Sequence, residues 1–163
     1  MDLTAAAMLA NLLSFVVFLL LGIWYIAPRL ATAGKANALT FLLWVHAFRH
    51  VALQVFSSQE MGFPISDGLR NEIVYGDLAG MVLALVAIIA LRFRFRFATW
   101  LIALFVVATV VDLTNALIGG IDEKLFDHAS GVTWIILTFL VPLLWVSLGM
   151  IVWQLWSRRR EPI

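Results

Sequence analysis

Five apolar runs, at roughly residues 5–27, 38–56, 73–91, 97–119 and 131–154, constrain this chain more than any motif it carries. Each is close to the roughly 20 residues that a helix needs to cross ~30 Å of hydrocarbon. Inside lipid, runs of this length satisfy their backbone only as helix. The expected fold class is therefore all-α: a polytopic membrane helix bundle with five transmembrane helices, forming a single integral membrane domain over residues 1–163. Composition agrees, since 63% apolar residues and a mean hydropathy of +1.00 lie above, and 13% charged residues below, what a water-soluble domain carries. There is no cysteine, which excludes disulfides, thiolate metal sites, Fe–S clusters and covalent haem attachment.

Charge sidedness gives the orientation. Arg29, Lys35, Arg92, Arg94, Arg96, Arg158, Arg159 and Arg160 fall on one side of the alternating spans, and that side is expected to be the cytoplasm. The other side carries Asp2, Glu60, Asp67, Glu72, Asp122, Glu123 and Asp127 against only Arg70 and Lys124. The bundle is thus read as N-out/C-in, in the inner (plasma) membrane of the cell. Trp24, Tyr25, Trp100, Trp153 and Trp156 near the inner boundary, with Tyr75 and Trp134 near the outer one, fit aromatic belts. A cleaved signal peptide does not fit the first span, which lacks a preceding positive charge and is too long, despite Ala31-Thr32-Ala33. Between spans, the Arg-Phe-Arg-Phe-Arg run at 92–96 reads as a cationic turn at anionic headgroups, and the polar stretch 57–72 is long enough for a lid.

Ionisable side chains inside spans are costly and therefore mark function by default. His46, Arg49 and His50 lie in the second span, Asp77 in the third and Asp112 in the fourth. At helical spacing His46 and His50 share a face continued by Gln54 and Ser57. Thr109 and Asn115 flank Asp112 by one turn, the fifth span offers Thr133, Trp134 and Thr138 near Pro142, and the first adds Asn11 and Ser14. His46 falls near the midplane and most of the others in the outer half, so they can converge on a pocket that opens outward. Arg49 is expected to pair with Asp77 or Asp112. Gly76 and Gly80, with Ala84 a turn on, read as a close-packing surface within the monomer or in a homodimer. Pro142 is expected to kink the last span, and His128 to lie in the outer loop.

Several chemistries are excluded by the residues. No span contains lysine, so a retinal Schiff base has no attachment point, and no Gly-x-Ser-x-Gly, Walker, Rossmann or HExxH pattern occurs. No cofactor is favoured. One alternative is a metal site for zinc, iron or copper, built from His46 and His50 with Asp112 or Asp77 and completed by His128. Haem would need His128 to answer His46 or His50 from a facing helix. A second alternative is a non-catalytic subunit of a larger membrane complex. The preferred reading is a lipophilic small-molecule pocket for a sterol, quinone or isoprenoid, with or without acid–base chemistry. In it His46 and Asp112 orient or protonate the ligand, and Arg49, His50, Asp77, Asn115, Trp134 and Thr138 contact it. The expected partners are the lipid bilayer and that ligand; nucleic acid is not among them.

The order of features resembles the EXPERA family of emopamil-binding-protein-like membrane proteins. The likeness lies in Val45-His46 in the second span, Tyr75-Gly76-Asp77 opening the third, Asp112 late in the fourth and Leu144-Trp145 in the fifth. It implies a five-span, N-outside bundle around a lipophilic pocket, with His46 matching the family's site histidine. Departures occur where isomerase-like members carry glutamates, at His50 and Ala84 here, and where they carry an asparagine, replaced by Pro142. What the resemblance implies is the pocket rather than the isomerase reaction.

Overall fold

In a computed structural model that describes residues 1–161, every long apolar run forms a helix: α1 (Leu3–Thr32), α2 (Lys35–Glu60), α3 (Asp67–Arg92), α4 (Ala98–Asp122) and α5 (Gly131–Ser157). All five are long and apolar enough to cross a membrane, and the described residues contain no strand. The helices overrun the apolar segments because their polar ends are capped. Asp2 accepts from Ala5 N at 2.8 Å at the start of α1, and Ser66 Oγ accepts from Leu69 N at 3.1 Å at the start of α3.

Two prolines are absorbed by the same device. In α1 a π turn at Gly22–Ile26 precedes Pro28, and in α5 a π turn at Ile136–Leu140 precedes Pro142. The amide of Ala27 reaches back five residues to Gly22 O, and that of Val141 to Ile136 O. Each proline then enters at an early position of the resumed α-helix, where its missing N–H and fixed φ do least harm. As a result α1 continues past Pro28 to Thr32, where the sequence pattern places a linker. In α5 the carbonyl of Leu137, five residues before Pro142, accepts Asn11 Nδ2 of α1 at 2.6 Å.

The polar stretch 57–72 is not the loop that a lid requires. Helix runs through Glu60 and resumes at Asp67, leaving only residues 61–66, with Gly62 at φ 96° to make the turn. Its side chains instead form a rim. Gln59 Nε2 donates to Ile65 O (2.8 Å) and Asp67 Oδ1 (3.0 Å), and the Arg70 guanidinium pairs with Asp67 at 2.9 Å and lies over the Phe56 ring. The 92–96 run does form a turn, with Arg94 in the left-handed region at φ 55°.

Helix α3 packs along α2 and α4, while α5 packs along α1 and α2. Helix α1 is outermost, with 11% of its apolar window buried against 39% in α3 and α5. One apolar cluster, which includes Leu39, Leu43, Leu91, Ile102, Phe105 and Ile151, fills the end of the bundle where the chain passes from α1 to α2. A smaller one, around Val55, Leu69, Val74 and Ile136, fills the opposite end. Between them lies a buried polar layer of His46, Arg49, Asp77, Thr109 and Ser147.

Candidate functional site

Arg49 is the centre of that layer. Residues Lys35–Ala47 of α2 are α-helical, but Phe48–Leu53 tighten into a 3-10 helix. A 3-10 turn takes three residues, so positions three apart line up and positions four apart diverge. His46 and Arg49 therefore face inward together, both with no exposed surface, while His50 turns outward and bonds only Ala47 O at 3.2 Å. The histidine face expected from the sequence does not form, because regular α-helical spacing stops between His46 and His50. Among the described residues no group of three or more His, Asp or Glu side chains is placed to hold a metal ion.

The guanidinium of Arg49 reaches across α3 to two carboxylates on different helices. Its Nε donates to Asp77 Oδ1 on α3 at 2.6 Å, its Nη2 donates to Asp112 Oδ2 on α4, and its Nη1 donates to Thr109 Oγ1 at 3.3 Å. The expected single pair is thus a set of three charges satisfied in part by a hydroxyl one turn from Asp112. Such geometry suits the planar fork of arginine and would not suit the point charge of lysine. Gly76 and Gly80, which the sequence pattern assigns to helix packing, clear the space for these groups. A Cβ at Gly80 would overlap the Arg49 guanidinium, and one at Gly76 would overlap the Asp112 carboxylate.

His46 sits behind this set. His46 Nε2 and Ser147 Oγ share a hydrogen bond at 3.0 Å, Ser147 Oγ also lies 3.1 Å from Leu144 O, and His46 Nδ1 is buried without a partner. The ring also meets the edge of Phe105, with centroids 4.9 Å apart. Ser147 was not legible as a site residue. Its only signal is a lone hydroxyl in an apolar stretch of α5.

Asp77 and Asp112 also face a cavity of about 190 Å³, far more than the roughly 10–15 Å³ that a single water occupies on this measure. Its walls come from all five helices and both loops at that end, among them Asn11 and Phe15 of α1, Leu113 and Ala116 of α4, and Pro142 and Trp145 of α5. Phe63 and Phe126 contribute from the loops. The lining is mostly apolar, and its polar side chains are the two carboxylates, Asn11 and Thr133 beside the Trp145 indole. Of the residues expected to surround a ligand, Asp77 and Asp112 line the cavity, and Arg49 binds both from behind. His46, His50, Asn115, Trp134, Thr138 and His128 are not part of its lining. Asn115 and His128 are exposed, and Thr138 is buried with its hydroxyl donating to Trp134 O at 2.8 Å.

Residues 6–156, nearly the whole chain, match a family model described as a domain of unknown function (DUF8737). No curated protein and no solved structure matches.

Proposed function

The chain belongs to the DUF8737 family, and from the chemistry of its cavity we propose that it binds a lipophilic small molecule within the membrane, polar end toward Asp77 and Asp112. One observation carries the reading: an apolar cavity has two carboxylates at one place in its wall, both fixed by a guanidinium that has no exposed surface. Burying three charges is expensive and adds little net stability by itself, so their retention beside a cavity is best explained by what they hold there. Carboxylate oxygens accept hydrogen bonds. A ligand with a donor at its polar end, such as a sterol or an isoprenoid alcohol, therefore fits better than a quinone, which offers acceptors only. The resemblance to emopamil-binding-protein-like membrane proteins agrees with a pocket of this kind. Asp77 and Asp112 touch the ligand in this reading, and Arg49 positions them. The orientation is N-out/C-in in the plasma membrane, on the positive-inside distribution, so that the loop end of the cavity faces outward.

Thermal unfolding of the detergent-purified protein with sterols, isoprenoid alcohols, quinones and lipophilic amines, and with zinc, copper and haem, tests the proposal. A fitting ligand at about 100 times its Kd stabilises by ~2.7 kcal/mol, a shift of several degrees. The shift is expected to vanish in Asp112→Asn and in Ala116→Phe, which narrows the cavity while keeping all three charged residues, and to persist in His128→Ala. Stabilisation by metal or haem alone, or no shift from any compound, overturns the proposal. In the second case a subunit of a larger membrane complex becomes the reading to pursue.

A further inference from the structure

The turn between α3 and α4 lies outside the cavity wall, yet it is among the most chemically distinctive surfaces of the molecule. Arg92, Arg94 and Arg96 alternate with Phe93, Phe95 and Phe97, and all six are exposed. The three rings form a column, with centroids 5.9 and 5.3 Å apart and planes tilted by 26° and 18°. They are nevertheless 67%, 44% and 52% exposed, so the stack buries little of their area. Trp100 follows one turn into α4 at 78% exposed. Among the described residues none of the three arginines forms an ion pair or a side-chain hydrogen bond, whereas Arg49, Arg70 and Arg158 all do.

The backbone holds this arrangement in place. Phe93 N donates to Ile89 O, Arg94 N to Leu91 O and Phe95 N to Ala90 O at 2.9–3.1 Å, and Ala98 N closes onto Phe95 O at 3.0 Å. Arg94 accepts the left-handed backbone that L-residues avoid. The turn sets its three arginines just before the start of α4 in sequence, where Phe97 supplies no side-chain cap. The positive end of the dipole of a 25-residue helix adds to the attraction for an anion. Unpaired guanidinium groups, a helix N-terminus and a stacked apolar column together fit one environment, the phosphate level of a bilayer, with rings in the acyl region and arginines on the headgroups.

We infer that the 92–97 turn is a binding site for anionic phospholipid headgroups at the Arg-rich end of the bundle, independent of the cavity and of its ligand. Native mass spectrometry of protein equilibrated in mixed phosphatidylglycerol and phosphatidylcholine nanodiscs tests it, by counting which lipid is retained after release into detergent. Wild type is expected to retain phosphatidylglycerol at least fivefold over phosphatidylcholine. The triple variant Arg92→Gln/Arg94→Asn/Arg96→Gln is expected to lose that preference, with asparagine chosen at 94 because it tolerates the left-handed backbone. A control with Arg159→Gln/Arg160→Gln, which removes charge at the same end, keeps the preference. Unchanged selectivity in the triple variant overturns the site, as does equal loss in the control, which would make the effect one of overall charge. Displacement of phosphatidylglycerol by millimolar inorganic phosphate would overturn the lipid as occupant and leave a phosphate site. A matching melting curve for the triple variant shows that the loss is not unfolding, and Phe93→Ser/Phe97→Ser, with all arginines kept, is expected to weaken retention at least twofold.

Discussion

The buried arginine is the residue on which the interior depends. With no exposed surface and three acceptors on two other helices, Arg49 leaves two carboxylates uncompensated when it is removed. Arg49→Ala is expected to destabilise by about 3–5 kcal/mol, read as a lower melting temperature in detergent. Arg49→Lys is expected to recover only part of the loss, because one ammonium cannot serve positions spread across a planar fork. Neutralising the carboxylates as well, in Arg49→Met/Asp77→Asn/Asp112→Asn, is expected to restore stability toward wild type, since it is the unpaired charge rather than the missing contact that costs most. If the triple variant melts as low as Arg49→Ala, the three groups are not one electrostatic unit. The ion set was half legible in the sequence: an intramembrane arginine has to find a carboxylate, but choosing between Asp77 and Asp112 required knowing that it reaches both.

At the scale of the helix, the sequence specified where elements run but not how they wind. Apolar length alone located all five helices. The site was harder, because positions four apart differ by about 40° in an α-helix and by about 120° in a 3-10 helix. No glycine or proline marks the change at Phe48 in α2; the winding tightens where Arg49 is drawn between α3 and α4. The tighter winding turns His50 to the outer side of its helix, away from the face that α-helical spacing predicts. Cavity-lining leucines such as Leu113 are invisible for another reason: in sequence they look like the exposed Leu104. Helix α3 contributes an element-scale prediction through its glycines. Gly80→Ala puts a Cβ onto the Arg49 guanidinium and is expected to destabilise by ~1–3 kcal/mol. Gly149→Ala in α5 meets nothing within 4 Å and is expected to be neutral or to stabilise by up to ~1 kcal/mol. Equal melting of the two variants would mean that the Gly80 notch is not needed by the charge.

For the whole molecule, ties at the two ends oppose each other. Ser66 and Thr4 bond Glu123 and Asp127 at the acidic end, and Arg158 reaches Leu30 O and Ala33 O at the basic end. Because the chain has no cysteine, single cysteines report sidedness cleanly. Asp2→Cys and Lys124→Cys are expected to react with an impermeant maleimide in intact cells, and Ser157→Cys only after permeabilisation; the reverse pattern would invert the bundle. The three-charge set also has a consequence for how the protein is made. Arg49 leaves the ribosome before either of its carboxylates, on the helix with the lowest mean hydropathy of the five spans, 1.3 against 2.3–2.5. On its own, α2 is expected to insert poorly, with its charge unanswered until α3 brings Asp77 alongside. Nascent chains arrested after residue 60 are therefore expected to leave the second span partly outside the bilayer, and chains extended through Arg92 to draw it in. Asp77→Asn is expected to abolish that rescue, so that α2 and α3 enter the membrane as one hairpin or not at all.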